Sequence, residues 1–580
     1  MDIAHRVSPT AACRTSISGG EWQFLVLTIS VLLVITSIPY AYGYWTVSPD
    51  KWFSGIIYNV HDTAQYLSWM RESGHQVLIE NKLTSETNEA IFLNLHWWIP
   101  GRLAAVAGLS LSQVYLIFHL FSVPFLAVAA YMFCALVFED LVKRRFAFLL
   151  GVLSSGLGWI WIVQKQFTGA LNFPLDVHTT TGNYFYAMMV SPSQTFAAAL
   201  MLFVLSLALM SIQRHRFVLS IIAALLALFL GLGHIYDLVT VWAALAVFGL
   251  LLTLRDGWSW SRFWSLFLIV LVSAPAPLYY GYISSDAHPV WQRALTQFDN
   301  LGTFTPDPVH LPVLMGLTFL VAWLGFFARL RSWREQAVPF VFVKGWFLVT
   351  LALIYLPLNF RIMLLSGYPL PMATLATMAL FDHILPWVRD RILKARLHHQ
   401  CTRRRLTWAI PTLFLLAVLP TNLYLLAWRV VDLNRHDYPY YLYRDDLAAM
   451  RWLDEHTSPD DVVLSSFTIG HYIPGLAGNK AFLSNAVMTM DFSHKQERVY
   501  DFFNSATPDA HRLAMIQEYG IRYVFFGPAE RQLGGYDPAT TSWLELAFSA
   551  SQVDIYRVKD DGSSLVTHSG DALWPNKRAH

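Results

Sequence analysis

The sequence predicts a mainly α-helical, polytopic membrane protein with a small α/β region at its C-terminal end. Its 580 residues are 55% hydrophobic and 14% charged, and the mean hydropathy is +0.41. Ordinary soluble domains carry about 25% charged residues. Apolar segments of about 20 residues, the length of a membrane-spanning helix, recur along most of the chain. After about residue 430 they give way to short, mixed segments.

The apolar segments predict about eleven transmembrane helices. The stretch 217–254 is too long for one span and holds two glycines, a histidine and an aspartate near its middle, so we expect a tight hairpin there. The stretch 337–385 is divided at Leu356–Gly367. The predicted spans are 24–45, 113–137, 146–163, 193–211, 217–233, 237–254, 263–283, 312–328, 337–356, 365–385 and 407–428.

The distribution of Lys and Arg predicts how these spans are oriented. Cytoplasmic loops retain positive charge. With eleven spans and a cytoplasmic N-terminus, the inner segments hold 19 Lys and Arg residues and the outer loops before the last span hold 7. We therefore expect residues 1–23 to be a cytoplasmic leader to an uncleaved anchor, and the region after the last span to lie outside the plasma membrane.

The region 429–580 is predicted to be a small extracytoplasmic α/β domain that follows a transmembrane domain of residues 24–428. Arg444–His456 has helical periodicity, and helical stretches are also expected near 493–504 and 508–519. The predicted strands are Val462–Ser465, Ala481–Leu483, Tyr523–Phe526, Leu544–Phe548 and Val553–Val558.

Composition and motifs exclude several functions. All three cysteines precede residue 430, so the C-terminal region has no disulfide framework. The chain has no GxGxxG, no GxxxxGK[ST], no GxSxG and no Asp-x-Asp motif, which argues against a nucleotide site or a hydrolase. The formal net charge is +2 and there is no basic tract, so nucleic acid is not an expected partner.

Candidate catalytic residues lie in the first outer loop, 46–112, which is the longest non-spanning stretch before the C-terminal region. Asp62 follows His61 there, and a carboxylate in such a loop can accept a proton from an attacking hydroxyl. The alternative interpretation is a solvated loop acid. Interleaved tryptophans in this loop fit either a membrane-interface belt or sugar stacking.

Other candidates are ionisable residues at membrane depth, which are rare and usually mark a site or a pathway. His234 and Asp237 interrupt an apolar run, and Arg361 lies in the break between two spans. The planar fork of donors on an Arg suits phosphate. Snorkelling of Arg361 to lipid phosphate and helix capping by Asp237 are the alternatives.

These features resemble the GT-C superfamily of polyprenyl-phosphate-sugar-dependent glycosyltransferases, and more closely a bacterial group of GT-C-like multi-pass proteins. The shared features are many spans, an acidic residue in a long first outer loop and an outward C-terminal α/β domain. The matching pieces are His61–Arg71, Pro174–Asp176, Ser191-Pro192, Gly233–Leu238, Phe360-Arg361, Gly367–Pro371 and Gly470–Pro474.

The resemblance implies a glycosyltransferase that moves a sugar, with inversion, from a polyprenyl-phosphate donor to an extracytoplasmic glycolipid, polysaccharide or protein. It implies Asp62 as general base, with Arg361 for the phosphate and His234 and Asp237 lining the pocket. The further substrate-binding candidates are His61, Glu89 and Asp176. The familiar Asp-Glu pair of protein mannosyltransferases is replaced here by His61-Asp62, which leaves a protein acceptor open.

No metal site is predicted outright, but some GT-C enzymes use a divalent cation such as Mg²⁺ or Mn²⁺. Asp62 with Glu89 or Asp176 could supply oxygen ligands. Two other functions stay open: a flippase or transporter of a lipid-linked saccharide, and a catalytically inactive assembly protein. Transport predicts internal repeats and polar residues across the bilayer, whereas the sequence shows no repeat and its polar residues cluster on one side.

Overall fold

The computed structural model describes residues 17–169, 174–296, 307–358, 360–394 and 400–559. The helices of the first half are α1 Gly19–Thr46, α2 Val60–His75, α3 Leu95–Ala107, α4 Leu111–Val137, α5 Leu141–Leu153, α6 Gly158–Thr168, α7 Tyr184–Val190, α8 Pro192–Arg214, α9 Phe217–Gly231, α10 Ile235–Asp256, α11 Trp260–Ser273, α12 Pro275–Ile283 and α13 Pro289–Thr296.

The second half contains both helices and most of the strands. Its helices are α14 Leu311–Phe327, α15 Val338–Leu353, α16 Pro369–Ala379, α17 Leu385–Lys394, α18 Gln400–Ala417, α19 Pro420–Leu433, α20 Arg444–His456, α21 Phe467–Gly470, α22 Ile473–Leu476, α23 Phe492–Phe503, α24 Asp509–Glu518 and α25 Pro528–Arg531. The strands of the whole chain are β1 Lys51–Phe53, β2 Tyr441–Tyr443, β3 Val462–Leu464, β4 Lys480–Ala481, β5 Ile521–Phe526, β6 Leu544–Ser549 and β7 Asp554–Val558.

The apolar helices support a membrane protein. Within the described ranges, five helices are long and apolar enough to cross a membrane when α11 and α12 count as one, and there are seven spans if α5 with α6 and α18 with α19 each count as one bent span. The shorter apolar helices are α9, α14 and α15. Helices occupy each of the eleven segments predicted from the sequence, but the number of spans and their orientation stay predictions.

The hairpin predicted in the stretch 217–254 is present. Helix α9 ends at Gly231 and α10 begins at Ile235, after a three-residue turn. Gly233 lies against the ring of His96, and a Cβ at that position would approach the ring Cδ2 to 2.1 Å. This close contact requires glycine and fixes the start of α10 against α3.

The C-terminal region folds as a five-stranded mixed sheet in the order β4-β3-β5-β7-β6. Strand β3 is parallel to β4 and β5, whereas β7 is antiparallel to β5 and β6. Helix α20 has the predicted bounds, and α23 and α24 lie within one residue of theirs. The alternating apolar residues of these elements form buried clusters on the faces of the sheet.

The first outer loop is joined to the C-terminal region by backbone and side-chain hydrogen bonds. Strands β1 and β2 pair antiparallel, with Lys51 opposite Tyr443. Further along the loop, Asn81 Nδ2 donates to the carbonyl of Met488 at 2.8 Å. These two parts of the chain, far apart in sequence, therefore form one packed layer above the membrane helices.

Candidate functional site

A cavity of about 340 Å³ lies where this layer meets the apolar helices. Its wall contains the first turns of α2, α8 and α10, the segment 178–180, Met363 of the turn before α16, and Val487 and Met488 from the C-terminal region. The volume lies in the lower part of the range of small-molecule sites. Residues from both halves of the chain are therefore needed to close it.

Aromatic side chains form much of one wall. Tyr66 stacks on Trp97 with ring centroids 4.3 Å apart, and Trp69 packs on Phe92 at 4.8 Å. Two buried polar atoms in this wall, Trp69 Nε1 and Gln65 Oε1, have no hydrogen-bond partner among the residues that the structure describes. A donor and an acceptor left unpaired at a cavity are suited to binding ligand hydroxyl groups, because burying them unpaired is costly.

Asp62 lines the cavity from the first turn of α2. Helix α2 begins after Asn59, whose left-handed backbone (φ 41°, ψ 59°) turns the chain into the helix. The Asn59 side-chain amide donates to Asp62 Oδ2, and Asn485 Nδ2 donates to Asp62 Oδ1 at 3.3 Å. The carboxylate is therefore half-buried, held by one amide on each oxygen, and placed at the positive end of a helix dipole.

His61 points away from the cavity and into the C-terminal region. Its Nδ1 lies 3.1 Å from Nε2 of His471, and its ring stacks on Phe467. Because His471 Nδ1 donates to the carbonyl of Phe467, His471 Nε2 is the acceptor and His61 Nδ1 the donor. Burial, with His61 beside it, lowers the pKa of His471 to about 3, and burial also lowers the pKa of His61. This neutral histidine pair joins the two parts of the chain.

His234 and Asp237 form a pair at the start of α10. His234 lines the cavity, and its Nδ1 lies 3.1 Å from Oδ2 of Asp237, which is fully buried behind it. Ser366 Oγ also contacts that oxygen at 3.4 Å, and Asp237 Oδ1 has no hydrogen-bond partner among the described residues. His234 Nδ1 likewise makes no hydrogen bond of good geometry to a described residue, so the pair is a close electrostatic contact that places a polar ring at the cavity.

Besides the charge of Asp62, backbone dipoles contribute to the electrostatics of the cavity. Helices α8 and α10 are 23 and 22 residues long, and their first residues, including Ser193 and Tyr236, line the wall. Helix N-termini carry partial positive charge and unpaired N–H groups, so they favour anions. Among the described lining residues, Asp62 is the only Asp or Glu and there is no Lys or Arg. Burial and then Arg429 lower the pKa of His178, which favours its neutral form.

Arg361 does not itself line the cavity but lies close to it in sequence and space. It opens the 3₁₀ turn Arg361–Leu365, and Met363 of that turn is part of the wall. The preceding residue, Phe360, packs its ring 4.8 Å from that of Tyr236, which also lines the wall. Arg361 is a half-buried residue, and we interpret it as lying beside the cavity.

Glu89 and Asp176 lie elsewhere. Glu89 contacts His288 Nδ1 at 2.8 Å, and Asp176 is buried where Gly158 N donates to its Oδ2 at 2.9 Å. Neither lines the cavity with Asp62. Within the described ranges, no group of three or more His, Cys, Asp or Glu residues is arranged to hold a metal ion. The ligand set suggested by the sequence for Mg²⁺ or Mn²⁺ is therefore not assembled.

Several residues of the site were not found from the sequence. Asn59 could have been found from a local pattern, because an Asn three residues before an Asp is typical of the N-terminus of a helix. Gln65 lies one helical turn after Asp62 and could have been found from that spacing. Asn485 and Met488 carried no signal, because only the tertiary fold brings them to the cavity.

Comparison with known proteins gives a fold but no close relative. No protein-family model matches the sequence, and no curated protein is detectably similar to it. The structure is similar to the oligosaccharyltransferase of Archaeoglobus fulgidus, with a TM-score of 0.55, 11% identity, and coverage of 88% of this chain and 70% of that one.

A second similar structure is the arabinofuranosyltransferase AftD from Mycobacteria, with a TM-score of 0.54 and 13% identity. That alignment covers 94% of this chain and 40% of AftD, so the chain spans less than half of that larger protein. Both proteins are GT-C glycosyltransferases. The resemblance inferred from the sequence is confirmed at the level of the fold: this chain has the fold of the GT-C membrane glycosyltransferases.

Proposed function

We propose that this protein is a membrane glycosyltransferase that moves a sugar from a polyprenyl-phosphate donor to a hydroxyl acceptor at the outer face of the plasma membrane. The observation that carries the proposal is the Asp62 carboxylate, which opens onto a cavity lined by aromatic rings and neutral polar groups. The GT-C fold supports it, because the two similar structures are an oligosaccharyltransferase and an arabinofuranosyltransferase.

In the proposed reaction Asp62 is the general base. The acceptor hydroxyl gives its proton to the carboxylate as its oxygen bonds to the anomeric carbon of the donor sugar. The bond from that carbon to the phosphate oxygen breaks on the opposite face, so configuration inverts and polyprenyl phosphate leaves. A carboxylate has about four lone-pair positions, and two amide donors leave room for the acceptor hydroxyl.

The wall formed by the first turns of α8 and α10 supports binding of the leaving phosphate. The N-termini of these helices favour an anion there, and His234, beside Asp237, offers a ring nitrogen. Arg361 follows Phe360, whose ring packs on the cavity-lining Tyr236, and is our candidate for an outer phosphate contact. Developing charge is thus met by oriented dipoles, which is an effective form of transition-state stabilisation.

The charge of the cavity also favours one class of sugar. Asp62 is its only described Asp or Glu, and no Lys or Arg is present to pair with a second carboxylate. An acidic sugar would place like charges together in a site partly shielded from water, which is unfavourable. We infer that the transferred sugar is uncharged and stacks on the Tyr66 ring, which Trp97 supports from behind, with hydroxyl groups directed to Gln65 and Trp69.

The test is complementation of a deletion strain with the full-length protein. Cells lacking the gene are complemented with wild type, Asp62→Asn or Asp454→Asn, and their envelope glycolipids and glycoproteins are compared by mass spectrometry. General-base catalysis is worth about 10²–10⁴-fold, so Asp62→Asn should abolish the glycan that wild type restores. Asp454→Asn is the matched control, because it removes only a half-exposed ion pair with Arg71. Arg71 lies in the last part of α2, the helix that carries Asp62 in its first turn.

Two results would overturn the proposal. An unchanged glycan profile in the deletion strain would exclude glycosyl transfer. Full rescue by Asp62→Asn at wild-type protein level would exclude Asp62 as the base and favour an assembly role without catalysis.

A further inference from the structure

We propose that Asn485, in the C-terminal region, is a positioning residue that holds the Asp62 carboxylate in its working orientation. The inference rests on the proposed function, because it takes Asp62 as the base. It assigns the C-terminal region a direct part in the active site, beyond recognising an acceptor or covering the membrane helices.

Asn485 connects the two parts of the chain through a single amide. Its Nδ2 donates to the carbonyl of His61 at 2.8 Å and to Asp62 Oδ1 at 3.3 Å. Its Oδ1 accepts from the backbone N–H groups of Val487 and Met488 at 2.8 and 3.1 Å. The side chain is fully buried and both ends of the amide are used. One end therefore shapes the cavity-lining loop while the other fixes the base.

The loop that carries Asn485 is in turn anchored on the first outer loop. Thr489 Oγ1 accepts from Ser484 N at 3.0 Å and donates to the carbonyl of Leu83 at 2.7 Å. Asn81 Nδ2 donates to the carbonyl of Met488 at 2.8 Å. The segment from Ser484 to Thr489 is therefore held at both ends, and the Asn485 amide has little freedom to move away from Asp62.

The two amides that hold Asp62 differ in origin. Asn59 precedes α2 and is exposed, so its contact forms wherever the helix forms. Asn485 is 423 residues away in sequence, so its contact requires the C-terminal region to be docked. Because catalysis depends on a near-attack geometry of about 3 Å, the active orientation of Asp62 should depend on that docking.

Asn485→Asp is the variant that isolates this role. The new side chain has nearly the same shape, and one carboxylate oxygen can still accept from the N–H groups of Val487 and Met488. The two hydrogen bonds that shape the loop are therefore kept. The donor to Asp62 is lost and a second carboxylate faces the first. A like charge disfavours ionisation of a neighbouring carboxylate, so the base should become inactive at a higher pH than in wild type.

The experiment measures the rate at which washed membranes form the glycan that is missing from the deletion strain. The membranes contain their own donor and acceptor and are buffered between pH 5.5 and 8. For Asn485→Asp we expect a fall of at least about tenfold across this range, because the base loses its orientation, and an acid limb of the rate profile that lies at a higher pH than in wild type. The rate is normalised to the amount of full-length protein.

Asn479→Asp is the matched control for loss of a buried amide. Asn479 is also buried in the C-terminal region, where its Nδ2 donates to Thr457 Oγ1 at 2.7 Å and to the carbonyl of Ser458 at 2.8 Å. It has no contact with Asp62. We expect this variant to lower the protein level or the thermal midpoint while leaving the pH profile of the remaining enzyme unchanged.

The outcomes separate this inference from the proposed function. If Asp62→Asn abolishes the product while Asn485→Asp keeps the wild-type rate and pH profile, the positioning role is wrong and the base assignment stands. If both Asn→Asp variants move the pH profile alike, the effect is a general one of added charge and the inference also fails. If Asp62→Asn is fully active, the base assignment itself is wrong.

Discussion

The two walls of the cavity are built in different ways. The outer wall holds Asp62 through hydrogen bonds between segments more than 400 residues apart, such as the Asn485 contact. The membrane wall is made by the first turns of α8 and α10, and the position of α10 depends on a local hairpin and on the close approach of Gly233 to His96. The first wall presents the Asp62 carboxylate directly to the cavity, whereas the second presents helix N-termini and His234, with Asp237 buried behind them.

This difference suggests that the two walls serve different steps of the reaction. The base requires an accurate orientation, and the outer wall gives it one through many tertiary hydrogen bonds. Phosphate needs a positive potential that survives in the membrane interface, and helix N-termini supply that potential without the cost of burying a cation. Variants of the outer wall should therefore affect stability and pH dependence, whereas variants of the membrane wall should affect donor binding and turnover.

The largest effect is expected at the ion pair between the first outer loop and the C-terminal region. Lys495 is 1% exposed, and its Nζ lies 2.7 Å from Glu86 Oε1. Burial lowers the pKa of Lys495, although Glu86 opposes that shift. Glu86→Gln leaves the buried ammonium without its counter-charge, so we expect a loss of about 3 kcal/mol, measured as a fall in the thermal midpoint of the full-length protein in detergent.

Lys495→Met is the comparison variant for that prediction. It leaves Glu86, whose side chain keeps 28% exposure, free to be solvated, and Met fills the apolar part of the Lys side chain. Its midpoint should fall less than that of Glu86→Gln. The reverse order would mean that this ion pair does not join the two parts of the chain as described.

The membrane wall was the better predicted of the two. Apolar length located the helices, and the interruption at Gly231 to Asp237 located the hairpin, because polar and small residues inside a long apolar run have few structural explanations.

In the C-terminal region, helix α20 and the five strands of the sheet also lie close to their predicted bounds, since their periodicity is a local property.

The outer wall could be predicted only in part. Asp62 was identified from its position in the loop, and its role stays a prediction. The ring of His61 turned out to bond to His471, and Glu89 and Asp176 lie outside the cavity. Asn485 was not foreseen, because a buried Asn in a loop has no local pattern, and its function appears only when the partner 423 residues away is known.

The next largest effect tests the membrane wall. Asp237→Asn removes the negative charge that lies 3.1 Å from His234 Nδ1 while keeping the shape of the side chain. A charge about 4 Å from a polar group in a partly buried site interacts with it by at most a few kcal/mol, so product formation by washed membranes should fall roughly 10–100-fold. The protein level should stay near wild type, because the 3.4 Å contact with Ser366 is the hydrogen bond that the Asp237 carboxylate makes to a described residue.

Ser366→Ala is the matched control, since it removes only the 3.4 Å hydroxyl contact to the same carboxylate. It should reduce product formation less than Asp237→Asn does. Equal rates for Asp237→Asn and wild type would show that the His234 and Asp237 pair has a structural role alone.

A smaller effect is expected at Asp446, in the core of the C-terminal region. Tyr438 and Tyr443 donate to its Oδ2, and burial raises its pKa to about 7. Between pH 4 and 7 the folded state then binds more protons than the unfolded state, so stability falls as pH rises. One such group gives at most about 1.4 kcal/mol per pH unit, and we expect roughly 2 kcal/mol between pH 5 and pH 7.

Asp446→Asn should remove most of this pH dependence and raise the thermal midpoint at pH 7. Asp501→Asn, at an exposed position of the same region, is the control and should change neither. If the wild-type midpoint does not fall between pH 5 and pH 7, Asp446 is ionised in the folded protein. Its protonation then does not contribute to the stability of the C-terminal region in this pH range.

The smallest effect is expected at Arg361, which lies beside the membrane wall. Arg361→Lys keeps the charge but loses the planar fork that binds phosphate through two donors, a change worth about 1 kcal/mol. Added undecaprenyl phosphate, the kind of product that the proposed reaction releases, should inhibit the wild-type membranes, and about fivefold more should be needed for the variant. Arg293→Lys, at an exposed position near Asp491, should be inhibited like wild type. Unchanged inhibition of Arg361→Lys would assign the phosphate contact to the helix N-termini and His234 alone.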